Sequence, residues 1–287
     1  MTMNRLLVPV RGDGKGEAVL GHALAVARRF NSHIEVVHCR ARPQDMLPFG
    51  VVMPRALRRQ IEDGAKSLAD QEEAHLHKML SDTLAREGVH EVPRGEIPPD
   101  DRPSVTWYEE DGKQIDVIKR HGRLADLIAV AKPDRELGIG VNSLHAALFA
   151  SGRPVLLCPP EGPPPALGSR IAIAWNGALE AARALALSIG LIDRAEGVVV
   201  LDGGAGESGA DGSALMTYLA QRGVSAERRQ LAAGSHPGRA ILAAAKEAGA
   251  DTLLMGAYGH SREMEAMLGG ATQEVVDETR MPVVFAH

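Results

Sequence analysis

Asp251-Thr-Leu-Leu-Met-Gly256-Ala-Tyr-Gly259-His260 is followed, after nine residues counted from Gly259, by Gly269-Gly270-Ala271-Thr272, and the chain closes on Met281-Pro-Val-Val-Phe285. The apolar run reads as a buried strand that opens onto spaced glycines and then a helix start. Lacking Cβ, glycines let backbone N–H groups approach phosphate oxygens and let the chain turn through φ > 0. A helix beginning near Gly270 adds unpaired amides and the positive end of its dipole. The arrangement is that of a strand–loop–helix unit able to hold phosphate.

Working outward, the chain repeats itself. Arg5-Leu-Leu-Val-Pro-Val-Arg-Gly12 matches Arg170-Ile-Ala-Ile-Ala-Trp-Asn-Gly177, Ala125-Asp-Leu-Ile-Ala-Val-Ala131 matches Ala250-Asp-Thr-Leu-Leu-Met-Gly256, and Arg153-Pro-Val-Leu-Leu157 matches Met281-Pro-Val-Val-Phe285. Runs of Val, Ile and Leu without polar alternation indicate strands covered on both faces. Helical patterns between them, such as Glu17 to Phe30 and Leu179 to Ile189, imply right-handed crossovers in a parallel sheet. The fold class is therefore α/β, with two tandem doubly wound domains. Cys158-Pro-Pro-Glu-Gly-Pro-Pro-Pro-Ala-Leu-Gly168 has the proline density of a stiff extended linker, placing one domain at residues 1–160 and the other at 168–287. In the second, strands are expected at Ser169–Trp175, Gly197–Leu201, Ala226–Leu231, Asp251–Gly256 and Pro282–Ala286. Helices are expected at Leu179–Ile189, Gly212–Gln221, Pro237–Ala248 and Ala271–Thr279. Ser235-His236-Pro237 reads as an N-cap followed by a first-turn proline.

The matched first and fourth strands begin at 5 and 126 in one half and at 170 and 251 in the other, so the first half carries 40 more residues between them. Most of the surplus lies between Ala41 and Gly112. There, Leu57, Ile61, Ala65 and Leu68 fall at helical spacing within Pro54 to Gly88, with charged residues opposite. A long surface helix is expected, covering the sheet.

A chain of 287 residues with net charge −5 and pI near 6.1 is unlike a nucleic-acid-coating protein, whose binding face is normally basic. The first apolar run is too short for a signal peptide and is interrupted by Pro9 and Arg11, and no stretch has the length of a membrane span. Cys39 and Cys158 have no second pair for a disulfide or metal framework. They read as reduced, structural and cytoplasmic.

With the strand, the Gly256-x2-Gly259-x9-Gly269-Gly270 spacing and the Pro-Val closing strand in place, the second half resembles the universal stress protein family, and the whole chain resembles its tandem form. That resemblance implies a five-stranded parallel sheet of order 3-2-1-4-5 in each domain, with an ATP site outside the carboxyl ends of the strands. The same placement follows from the switch-point rule for open α/β sheets. Carried over by position, it sets Ala174, Trp175 and Asn176 beside adenosine, and Leu201 and Asp202 at adenine. Phosphates would lie on Met255, Gly256, Gly259, His260, Gly269, Gly270, Ala271 and Thr272, with ATP taken alone or with magnesium. Two positions depart from the family pattern: Asn176 replaces an acidic residue and Gly270 a hydroxyl residue. The Asn176 carboxamide still offers donor and acceptor, and Thr272 is near enough in sequence to replace the missing hydroxyl. The family also implies an intramolecular pseudo-dimer through the closing strands near Pro154 and Pro282. Two chains could further associate as a homodimer.

The first half departs at its phosphate loop. From Asp126 to Pro154 it spans 28 positions, against 31 from Asp251 to Pro282, and Pro133, Asp134 and Glu136 bring a missing amide and negative charge. No triphosphate is expected there.

Other signals carry less. Arg11-Gly-Asp-Gly-Lys-Gly16 follows a strand but lacks P-loop spacing, and reads as a mobile loop. His75 and His77 lie two apart in a helix, on different faces, and cannot readily share a metal. Asp202 to Gly212 lacks calcium-loop alternation and reads as a flexible lid. The glycines of 256 to 270 could instead serve turns and close packing, Asn176-Gly177 a strand-to-helix turn, and Trp175 the core. His260, Ser261, Arg262, Glu263, Glu265 and Thr272 carry no spacing that assigns catalytic roles, so a nucleotide-binding stress regulator is favoured. A weak ATP-hydrolysing enzyme and a nucleotide-free dimeric scaffold are the alternatives.

Overall fold

The computed structural model describes residues 3–10, 12–40, 54–204, 209–232, 234–259 and 270–287. In the first half β1 (Arg5–Val10), β2 (His33–Arg40), β3 (His90–Glu91), β4 (Ser104–Asp111), β5 (Leu127–Ala131) and β6 (Val155–Cys158) are joined through α1 (Gly16–Phe30), α2 (Arg55–Glu87), α3 (Gln114–Gly122) and α4 (Val141–Ala150). The second half contains β7 (Arg170–Trp175), β8 (Gly197–Asp202), β9 (Ala226–Gln230), β10 (Thr252–Gly256) and β11 (Val283–Ala286). Its helices are α5 (Leu179–Leu187), α6 (Ile189–Ile192), α7 (Gly212–Gln221), α8 (Pro237–Glu247) and α9 (Ala271–Glu278).

All these strands form one sheet in the order β3-β4-β2-β1-β5-β6-β11-β10-β7-β8-β9. Apart from the two-residue β3, which the surplus chain of the first half adds at one edge, each half has the expected 3-2-1-4-5 order. Every pairing is parallel except one. Strands β6 and β11 run antiparallel, with Val155 opposite Phe285, Leu156 opposite Val284 and Leu157 opposite Val283.

The period of two along each strand divides the core. Leu6, Val8, Ile171, Ile173, Leu254 and Val284 point to a layer made by α1, the C-terminal part of α2, α5, α6 and α7. Leu7, Ala172, Leu253, Val283 and Phe285 point to the opposite layer, with Val117 and Leu144 from α3 and α4 and Ile241 and Val275 from α8 and α9. Both layers run unbroken from one half into the other. This is why the strand segments lack polar alternation: each buries two faces.

The repeated Ala-Asp pair has a physical reason. At the start of β5, Asp126 Oδ2 accepts the N–H groups of Asn4 (2.8 Å) and Arg5 (3.0 Å), tying the fourth strand of its half to the first. Asp251 does the same before β10, accepting from Gly168 and Arg170, both at 2.7 Å. A carboxylate at this point satisfies amides that the parallel ladder has not yet reached.

The surplus segment corrects one expectation. Helix α2 starts after Pro54, which cannot continue a helix backwards, and stops at Gly88, whose φ of 65° is the left-handed cap. Its buried stripe is Leu76, Leu80, Thr83 and Leu84 in the C-terminal turns. Leu57 and Leu68, placed on the inner face by spacing, are 46% and 68% exposed, and Ile61 is half-buried. At about 1.5 Å per residue this 33-residue helix is longer than the eight-residue strands β2 and β4, and its buried positions among the described side chains lie in the C-terminal turns. The proline-rich connector is also docked: Pro163 packs against Gly21 of α1, and Leu167 is buried.

Phe285 is fully buried opposite Val155 in the antiparallel pair. Phe285→Ala is expected to destabilise the chain by about 3–5 kcal/mol in urea titration, the range for removing a buried aromatic ring. A loss under about 1 kcal/mol would mean that the centre of the sheet is not tightly packed.

Candidate functional site

At the carboxyl ends of β7, β8 and β10 lies a cavity of about 740 Å³. Trp175, Ala174, Leu201 and Met255 line it from the strands, and Leu231, Pro237, Ala240 and Ile241 from the segment after β9 and from α8. Gly256, Gly259, Gly270, Ala271 and Thr272 close the opposite end. The strand-end, apolar part and the glycine part thus share one space, as a flat ring with an attached anion would require.

Of the residues expected at a site, Ala174, Trp175, Asn176, Leu201, Met255, Gly256, Gly259, Gly270, Ala271 and Thr272 line this cavity. Asp202 does not. It is 2% exposed, pairs with Arg228 (2.5 Å), and accepts the Gly204 N–H (2.9 Å). Its carboxylate belongs to the packing beneath the loop. Gly212 sits so close that a Cβ there would meet Asp202 Oδ2 at 2.3 Å. His260 and Gly269 lie outside the described residues, as do residues 205–208 of the expected lid and Arg11 of the first-half loop.

Each glycine has a distinct reason. A Cβ on Gly256 would lie 2.6 Å from the backbone N of Ala181, so α5 can cross β10 only because the residue is glycine. Among the described residues, a Cβ on Gly259 would meet the Glu180 carboxylate, with Oε2 at 3.1 Å. Gly270 is the N-cap of α9 with no side-chain cap, which leaves the first-turn amides of Ala271 and Thr272 without intrahelical partners. Thr272 Oγ1 accepts the Tyr258 N–H at 3.0 Å and keeps its own O–H to donate.

The other end is set by packing and a turn. Trp175 is 5% exposed in the core, and its Nε1 donates to the Ala210 carbonyl at 2.8 Å. Asn176 Oδ1 accepts from the Ala178 N–H at 3.1 Å, forming the strand-to-helix turn, while its amide NH₂ is left to donate at the rim.

Sequence reasoning missed the α8 wall and Glu180. Helix α8 is capped from a distance: His236 is its N-cap residue, and Glu274 of α9 accepts the N–H groups of Gly238 (2.8 Å) and Arg239 (3.3 Å). Ser235, expected as the cap, does not perform this role. Glu274 also meets His236 Nδ1 at 2.9 Å. Burial alone would push the Glu274 carboxyl upward, but the His236 ring and the two amides outweigh it and hold the group below its ordinary range. Glu180, in the first turn of α5, is half-buried and is the one acidic side chain among the described lining residues. The strand-end pattern of Asn176-Gly177 could have pointed to it, since the next helix begins at the same rim.

The corresponding place in the first half encloses about 20 Å³, lined by Asp13, Lys15, Gln114, Gly140 and Ser143 among others. That is room for about one water. Lys15 Nζ donates to the Lys132 carbonyl (3.1 Å), and Ser143 Oγ donates to Gln114 (2.8 Å). Residues 134 and 139 pair across the shortened loop, and Lys132 Nζ reaches over to the Thr279 carbonyl (2.9 Å). Gly12, expected in a mobile loop, donates its N–H to Glu72 of α2 at 2.7 Å.

No group of three or more metal-capable side chains occurs among the described residues, and none of the described helices is long and apolar enough to cross a membrane. His77 packs edge-on against Trp107 at 5.4 Å, and neither Cys39 nor Cys158 forms a disulfide among the described residues. Burial pushes the Cys158 thiol far upward.

The profile of the Universal stress protein family matches residues 169–287, the half that holds the large cavity. Residues 169–287 belong to the universal stress protein family. Over the whole chain the fold is similar to the crystal structure of a universal stress protein from Archaeoglobus fulgidus DSM 4304. The TM-score is 0.71 at 16% identity, covering 99% of this chain and 96% of the other. It is also similar to a functionally unknown protein from Pseudomonas aeruginosa PAO1, with a TM-score of 0.54 at 16% identity, covering 99% and 92%. The tandem two-unit arrangement of the universal stress fold is therefore shared end to end. No match was found among curated proteins.

Two outcomes follow from the site's packing. Gly256→Ala is expected to lower stability by about 1–3 kcal/mol in denaturant, because backbone of α5 would have to move. For Glu274, whose carboxyl is held low, the stabilising contribution is complete above the ordinary glutamate pKa of about 4.3 and is lost as pH falls through the folded value. The stability gap between the parent protein and Glu274→Gln should close on acidification; a gap independent of pH would show that the α8 cap does not depend on charge.

Proposed function

We propose that this protein is a cytoplasmic stress-response sensor or regulator that binds one adenine nucleotide, ATP, in its second half. The supporting observation is the joined cavity of about 740 Å³, apolar at the strand ends and flanked by the open amides of α9, set against about 20 Å³ at the same place in the first half. Adenine would lie among Leu201, Leu231, Ile241 and Met255. The Asn176 amide can donate to a sugar hydroxyl, and Gly259, Ala271 and Thr272 can donate to phosphate. In this reading the two halves form an intramolecular pseudo-dimer through β6 and β11, with the first half as its non-binding member.

Magnesium fits the phosphate end through one group. Glu180 could meet a phosphate-bound Mg²⁺, and without the ion its carboxylate would oppose added phosphate charge. Nucleophile, base and orienting partner are not assembled among the described lining residues, and His260, Ser261, Arg262, Glu263 and Glu265 lie outside the described residues.

The test is thermal. ATP with magnesium at 100 times its dissociation constant should add about 2.7 kcal/mol of stability, and no shift with ATP, AMP or adenosine would sink the proposal. Gly259→Val should remove nucleotide binding in a folded protein by crowding Glu180. Glu180→Gln is expected to strengthen magnesium-free ATP binding roughly three- to tenfold, from removal of one nearby negative charge. Unchanged affinity would place the phosphates away from this carboxylate.

A further inference from the structure

Between Gly256 and Gly259 stand two residues that do not themselves line the cavity. Ala257 is fixed by the last strand: its N–H donates to the Ala286 carbonyl at 2.8 Å, and its own carbonyl meets His287 Nδ1 at 2.9 Å. Tyr258 has a φ of 55°, in the left-handed region where bulky residues are rare. Its N–H is bonded to Thr272 at the start of α9, and the residue is 5% exposed.

The ring of Tyr258 does not line the cavity. It packs at 5.3 Å from Phe149 and 6.1 Å from His145, both on α4 of the first half. Phe149 also meets the His287 ring edge-on at 4.7 Å. Helix α4 is the first-half counterpart of α9, and the pocket lined by Gly140 and Ser143 at its N-terminus holds about 20 Å³ among the described residues. One aromatic cluster thus joins the closed half to the two residues that lead into Gly259.

We propose that Phe149 and His145 are positioning residues for the ligand loop of the other half, holding Tyr258 in its left-handed conformation and so fixing the course of the chain into Gly259 and its register against Thr272. A tyrosine would leave that conformation readily if its ring lost its packing. The first half then completes a site to which it contributes no contact. The proposal rests on the nucleotide reading above for its effect on affinity, but its structural content does not.

Two measurements separate the two ideas. In calorimetric titration with ATP and magnesium, Phe149→Ala should weaken binding at least about fivefold, the low end of coupling between sites, while Phe149→Tyr should restore it. Leu80→Ala, which loosens the first-half core under α2 and lies outside the aromatic cluster, should leave affinity unchanged. Equal weakening by Leu80→Ala, or no weakening by Phe149→Ala, would overturn the proposal. Without any ligand, amide hydrogen exchange at Ala257, Tyr258 and Gly259 should accelerate in Phe149→Ala and not in Leu80→Ala. If the parent protein bound no nucleotide, that exchange result would still decide the brace: unchanged rates in Phe149→Ala would end it.

Discussion

Strands β6 and β11 each close a five-stranded parallel order, and each would present a row of unpaired backbone groups if its half stood alone. Their antiparallel pairing removes both edges at once. Everything else in the molecule is arranged on the result. The core layers on the two sides of the sheet pass through this pair without a break, Val284 and Leu156 facing one layer and Phe285 and Val155 the other. The approach of α4 to Tyr258 and His287, and the reach of Lys132 to Thr279, exist because the closing strands set the halves side by side.

The pairing leaves the two strand-end crevices to diverge. In the second half, Gly256 lets α5 come close and Gly259 and Gly270 leave backbone accessible, so an apolar crevice meets an uncapped helix start. In the first half, the three-residue shortening brings residues 134 and 139 together, and Lys15 and Ser143 bond across what would be the opening. Helix α2 adds Glu72 against Gly12. The same topology therefore yields one open crevice and one filled one, through loop length and a few side-chain bonds.

Much of this was legible in the chain itself. The second-half strands and helices fall within a few residues of their expected ends, because two-face burial produces apolar runs and because Gly and Pro mark where helices stop and start. The repeated Ala-Asp pair signalled matching strands before its role as a clamp on the first strand was visible. What escaped was decided across the sequence rather than along it. Asp202 looked accessible at a strand end, but Arg228 of the neighbouring strand engages it. The cap of α8 comes from Glu274, far down the chain, and the buried positions of α2 among the described side chains lie in its C-terminal turns. Glu180 gained its place from the crossing of α5 over Gly256, which no local pattern reports.

Among the described residues the merged sheet has two outer borders. One is β3, two exposed residues long, beyond which β4 itself forms the edge from Thr106 to Asp111; the other is β9, whose sequence Ala-Glu-Arg-Arg-Gln is charged at three of its five positions. Neither offers the long, flat, apolar rim onto which another strand could be laid. Growth of the sheet by adding further copies is thus disfavoured at both ends. Among the described residues, the helix layers on the two faces of the sheet are the broader surfaces left for self-association.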